Sequence, residues 1–186
     1  MQSTLKVLLL TLISVSSFAQ QNFSFTPEKP KPGETISITY RTAGDIANTI
    51  MPVEAIVEQY GLNKHKADDL VLKKTADGFT ASFTTNTAAN FNFFIFAADK
   101  KFDNNFNDGY FIRLYENDKV RKGSYINQYM FYQFLGNDAG VERNNEKALA
   151  AMESEFSLHP DNRKPWLNSY VRLKNSVKKD ATNTLA

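Results

Sequence analysis

The chain has no cysteine, and that absence excludes whole classes of chemistry. Without a thiol there is no disulfide framework, no Cys-x-x-Cys redox pair, no cysteine nucleophile, no zinc ribbon and no cysteine to carry a lipid anchor. Blocks of basic residues are missing too. Lysine and arginine never run longer than a pair, and 22 basic against 20 acidic side chains leave little net charge, so the electrostatic stripe of a nucleic-acid binder is absent. Only two histidines occur, His65 and His159, and neither has a second His, a Cys or a carboxylate at the spacing of a metal ligand. The motifs Gly-x-Ser-x-Gly, P-loop and Gly-x-Gly-x-x-Gly do not occur either. Glycine is scarce, and all eight copies lie between Gly33 and Gly140.

What is present begins with a leader. Lys6 precedes an apolar run from Val7 to Val15, and Ser16-Ser17-Phe18-Ala19 places small residues where a signal peptidase needs them, before Gln20. The run is too short to span a bilayer. Residues 1–19 therefore read as a secretory signal, and the mature chain is expected to be soluble and extracytoplasmic, without a membrane span.

From Phe23 to Tyr115, short β-branched and aromatic runs separated by turn residues give the pattern of an antiparallel sandwich. Seven strands are predicted: Phe23 to Thr26, Thr35 to Tyr40, Val53 to Tyr60, Leu70 to Lys73, Phe79 to Thr85, Phe91 to Ala98 and Gly109 to Tyr115. Ile36, Ile38 and Tyr40 alternate with polar residues, as do Phe79, Ala81 and Phe83, so these strands keep one wet face. Asp77-Gly78 is expected to turn the fourth strand into the fifth. The sixth strand is apolar on both sides, with Phe91, Phe93 and Ile95 on one and Phe94 and Phe96 on the other. It must be covered twice.

Beyond Glu116 the apolar period lengthens to that of a helix. Ser124 to Leu135 is apolar around most of its circumference, Asn144 to Leu158 carries Ala148, Leu149, Met152 and Phe156 on one face, and Pro165 to Lys178 carries Trp166, Tyr170, Leu173 and Val177. His159-Pro160-Asp161 separates the last two, which form a TPR-like antiparallel pair. The helical third is the expected cover for the second face of the sixth strand. The expected organisation is thus a signal at 1–19, a seven-stranded β-sandwich at 20–116, and a three-helix TPR-like region at 117–186 that continues beyond the chain end.

The leader followed by Asn22-Phe23-Ser24-Phe25-Thr26-Pro27, the string Lys29 to Tyr40, and the segments Asp77 to Asn86, Phe102 to Tyr115 and Glu146 to Pro160 carry a resemblance. Together they resemble the N-terminal, immunoglobulin-like part of secreted thioredoxin-like thiol–disulfide oxidoreductases of Gram-negative bacteria. The resemblance implies an immunoglobulin-like sandwich, a periplasmic or secreted location, and a following redoxin domain whose active-site cysteines map onto no residue here. No catalytic residue and no cofactor are carried over. The implied role is that of a non-catalytic scaffold whose partner is another protein or that redoxin domain. A free-standing module binding glycan, peptide or envelope partner is the alternative, and nothing selects a third reading as a hydrolase.

The richest oxygen cluster is Asp103-Asn104-Asn105-Phe106-Asn107-Asp108-Gly109. Asp103, Asn105 and Asn107 hold the 1, 3, 5 spacing of a calcium loop, but position 6 is Asp108 rather than glycine and position 12 is Leu114 rather than glutamate. A structural turn rich in residues that tolerate a left-handed backbone is the favoured reading, with a calcium site at Asp103, Asn105, Asn107 and Asp108 the weaker one. Asp103, Asn104, Asn107 and Asp108 are also candidate partner contacts, as are Tyr129 and Trp166, whose helical spacing favours core packing. Asp68-Asp69 and Glu153/Glu155 are read as solvated carboxylates pointing apart.

Overall fold

The computed structural model describes residues 22–61 and 64–184, so the predicted signal peptide lies outside the described residues. Among the described residues the chain is a mixed α/β structure with several antiparallel sheets and three α-helices. One sheet has the order β1-β2-β6-β5, built from Phe23–Thr26, Thr35–Tyr40, Gly78–Thr84 and Lys73–Thr75. A second has the order β4-β3-β7, from His65–Asp69, Glu54–Gly61 and Ala89–Ala98. The far edge of β7 is shared by β8 (Lys101–Phe102) and β9 (Tyr110–Arg113). A small hairpin of β10 (Tyr115–Glu116) and β11 (Lys119–Val120) leads to α1 (Ser124–Met130), α2 (Asn145–Leu158) and α3 (Arg163–Thr184). The expected junction between 116 and 117 falls in the turn of this hairpin.

The two large sheets pack face to face. Alternation in β2 sends Ile36, Ile38 and Tyr40 inward and leaves the residues between them exposed, and the inward set meets Ala55, Val57, Phe94, Phe96 and Ile112 of the opposing sheet. Tyr40 lies flat on Phe96, with ring centroids 3.6 Å apart. The opposite side of β7 enters a second core. Phe91, Phe93 and Ile95 pack there with Ile126, Tyr129 and Phe131 and with Ala148, Ala151 and Met152 of α2. The doubly apolar strand is covered on both faces as expected, and the helices supply the second cover.

Several boundaries depart from expectation for identifiable reasons. Of the expected strand Leu70 to Lys73, only Lys73 lies in one, as the first residue of β5, and Leu70 to Leu72 do not. Those three form the crossover from β4 in one sheet to β5 in the other, where Leu70 is buried, its amide still bonds Ala55 (2.8 Å), and Val71 points into solvent at 80% exposure. The strand β4 was not expected because its sequence, His-Lys-Ala-Asp-Asp, is that of a polar sheet edge. The β5–β6 hairpin exists, but the register Thr75↔Gly78 centres its turn on Ala76-Asp77. Gly78 lies in β6 with φ +142°, where a Cβ would come within 2.4 Å of the Tyr40 carbonyl. The hairpin turns at Asp99-Lys100 and Asn117-Asp118 hold positive φ at both positions without any glycine.

The first helix is α-helical only to Met130. Phe131–Leu135 widens into a π-turn and Gly136–Ala139 tightens into a 3₁₀ turn, which bends the chain toward α2. Asn144 caps α2 by accepting from the Lys147 amide at 2.8 Å. The third helix is longer than its apolar stripe suggested, reaching Thr184.

Two polar side chains sit badly in this architecture, Ser124 with an unpartnered buried hydroxyl and, more severely, Asn92. Asn92 on β7 is fully buried, shares the inward face with Phe94 and Phe96, and has no hydrogen-bond partner on either its oxygen or its nitrogen. An unsatisfied buried amide costs about 1–3 kcal/mol. Asn92→Leu, similar in volume, is therefore expected to raise stability by about that much, read as a higher urea midpoint at unchanged slope. A lower midpoint would show that Asn92 is satisfied in solution.

Candidate functional site

The loop between β8 and β9 is where sequence reasoning concentrated its site residues, and its geometry is set by internal bonds. Asp103 is 2% exposed and turned into the core. Its Oδ2 accepts from the Tyr40 hydroxyl (2.8 Å), the Tyr110 hydroxyl (3.0 Å) and the Ala43 amide (2.9 Å), while Oδ1 accepts from the Asn105 amide (3.1 Å). Two strands, β2 and β9, and the loop after β2 are thus tied to one carboxylate. Burial first, and the adjacent Asp103 second, push the Tyr40 and Tyr110 hydroxyls well above the ordinary tyrosine range.

The rest of the loop faces the helices. Asn104 donates to the Gly140 carbonyl (2.9 Å), Asn107 Oδ1 accepts from the Glu142 amide (2.7 Å), and Tyr132 donates to the Asp108 carbonyl (3.0 Å). Lys147 of α2 donates to the Asn107 carbonyl (2.8 Å) and to the Asp108 carboxylate (2.5 Å). Asn105 donates across the loop to the Gly109 carbonyl at 3.0 Å. Positive φ at Asn105, Phe106, Asn107 and Gly109 makes this tight path possible, and a Cβ at Gly109 would lie 2.6 Å from the Phe131 ring. The loop is a joint between the sheets and the helical layer. Asp103, the first residue of the calcium spacing, points into the core, away from the surface to which Asp108 is tied by Lys147. Among the described residues no cluster of three or more His, Asp or Glu side chains is arranged to hold a metal. Phe106 stands out of the loop, 79% exposed at its tip.

Of the remaining candidates, Tyr129 is buried and packs edge-on between Phe134 and Trp166, at centroid distances of 6.2 and 5.9 Å. Trp166 is half-buried. The histidines are partnered in ways the sequence hid. His65 bonds Glu58 across the β3–β4 hairpin and stacks on Tyr60 (4.4 Å), and His159 contacts the Val120 carbonyl (2.9 Å). Tyr60 is pushed up to about 12, chiefly by burial and then by Glu58. Asp68 is held below the usual carboxylate range, first by its bond to Lys66.

Glu155 corrects an expectation. It is not solvated but fully buried, and it accepts from the amides of Gly123 (2.7 Å) and Tyr125 (3.2 Å) and from Asn162 Nδ2 (2.6 Å). A carboxylate on α2 thus caps the start of α1, where unbonded amides and the helix dipole favour negative charge. The available signal was positional: Glu155 falls on the α2 face of Ala148, Ala151 and Met152, where an apolar residue is expected. A second polar tie joins β9 to α1, where the Arg113 guanidinium lies over the rings of Phe111 (5.0 Å) and Tyr125 (4.5 Å) and donates to Gln128.

Comparison with family models, with curated proteins and with solved structures finds no match. Among the described residues, Asp103 and Glu155 are the buried carboxylates, and each accepts from at least three donors. Their chemistry is positional.

Asp103→Ala leaves two buried hydroxyls and an amide without their acceptor, and should cost about 3–5 kcal/mol in urea denaturation; a loss below about 1 kcal/mol would remove Asp103 from this role. Tyr40 and Tyr110 also predict alkaline behaviour. Their folded values lie above the ordinary 10.0, so the folded state retains protons that the unfolded state releases. That contribution is fully present below pH 10 and falls as pH rises beyond it, so stability should decline in that range and less steeply in Tyr110→Phe. Tyrosinate absorbance at 295 nm should show two tyrosines that ionise only with unfolding.

Proposed function

We propose that the chain is a non-catalytic, extracytoplasmic scaffold that forms the N-terminal part of a thioredoxin-like thiol–disulfide oxidoreductase. The observation that carries this reading is the second core. Helices packed on the outer face of β7 join a two-sheet module to a helical module as one block, and the joint consumes the polar residues that a free site would use. The strand orders β1-β2-β6-β5 and β3-β7-β9 follow the two-sheet order of an immunoglobulin-like domain and support that finer assignment. The antiparallel α2 and α3, separated by a turn containing Pro160, support a TPR-like pair. Leu167 and Val171, each nearly half exposed on α3, offer it a face for a further element. The leader-like residues 1–19 support a periplasmic or secreted location.

A second reading, a secreted binding module for glycan, peptide or envelope partner, is favoured by one observation: the outward Phe106 at the tip of a rigid loop. In that case Phe106→Ser together with Asp108→Ala should abolish binding in a glycan or peptide screen.

The coding sequence beyond codon 186 tests the first reading. The expected outcome is helix followed by a strand, a Cys-x-x-Cys motif and a helix. An in-frame stop directly after that codon overturns the redoxin-scaffold reading and leaves the second.

A further inference from the structure

A groove of about 230 Å³ runs between α1 with its π-turn and α3, on the helical side of the molecule. Ser169, Arg172, Leu173 and Ser176 form one wall at i, i+3, i+4 and i+7 of α3, and Arg143, just before α2, closes the groove. No carboxylate lines it. Neither guanidinium has an ion-pair partner among the described residues, although five other ion pairs occur there. The nearby polar groups are otherwise engaged: Ser176 bonds back to the Arg172 carbonyl (3.2 Å), and Gln133 donates to Asn145, which in turn donates to Asp180. Ser169 and the two guanidiniums are the donors left facing the groove.

Two like charges beside one small cavity repel each other and attract an oxyanion, and the planar guanidinium fork fits a carboxylate in two-point geometry. Apart from the Gln133 amide, the remaining lining is apolar. Leu173 and the Tyr129 ring form the floor, and Phe134, 59% exposed, stands at the rim. Such a groove suits an anionic group attached beside an apolar one, and its volume admits a single side chain with part of its neighbour.

We propose that this groove receives an acidic side chain, carried next to an apolar residue, of a partner polypeptide. The site deepens the scaffold reading by giving its partner a chemistry, but its test uses the isolated chain, so a stop codon after codon 186 and a silent groove are separate failures.

The probe is N-acetyl-Leu-Glu-Leu-amide, titrated at millimolar concentration into the ¹⁵N-labelled chain. Saturable shifts are expected at the amides of Ser169, Arg172 and Ser176. The glutamine version of the peptide should bind about tenfold more weakly or worse, and so should the glutamate peptide to the Arg143→Ala/Arg172→Ala chain, which keeps its fold because both side chains are exposed. Equal binding of the two peptides, shifts unchanged in the double variant, or no saturable shift would each overturn the proposal. Inorganic phosphate binding more tightly than the peptide would overturn the carboxylate assignment and make the groove a phosphate site.

Discussion

A single strand buried on both faces constrains everything else. In β7 every residue but Ala97 is buried, although an antiparallel sheet ordinarily keeps one face in water. Phe94 and Phe96 belong to the core between the sheets, and Phe91, Phe93 and Ile95 to the core beneath the helices. Removing either layer would return aromatic surface to water at a cost of about 25 cal/mol per Å². Sheets and helices are therefore coupled through the strand they share, and neither core is complete without it.

Apolar burial is non-directional, so it does not by itself decide how a helix lies on a sheet. Polar contacts at the joint provide that direction. Asp103 ties Tyr40, Tyr110 and the Ala43 amide into one arrangement, Asn104, Asn107 and Asp108 bind the segment from Gly140 to Lys147, and Glu155 caps α1 from α2. A fully satisfied buried network is specific because any slip leaves several donors unpaired. The loop richest in oxygen is therefore occupied by alignment.

The parts of this design legible in sequence are those with a local period. Alternation exposed both faces of β7, the inward set of β2, and the need for a helical cover. What was not legible depends on distant partners. The polar edge β4 has no apolar alternation to announce it, and the leucines at 70 and 72 imitate a strand while crossing between sheets. Asp103 and Glu155 have the composition of surface residues, and only three-dimensional neighbours reveal that they are buried. The same holds for Arg143 and Arg172, which meet in one groove although they come from different elements.

The near-neutral composition also conceals an asymmetry. Several acidic groups are used internally or in pairs: Asp103 and Glu155 are buried, and Asp68, Asp108 and Asp161 are matched by lysines. Basic groups gather instead on α3, which carries Arg163, Lys164, Arg172, Lys174, Lys178 and Lys179 against a single acidic residue, Asp180. A balanced total thus coexists with a predominantly basic helix, and a field of this kind biases which partner approaches and how it orients. Asp103 and Glu155 thus position the chain's own layers, while Arg143 and Arg172 line a groove that opens to solvent.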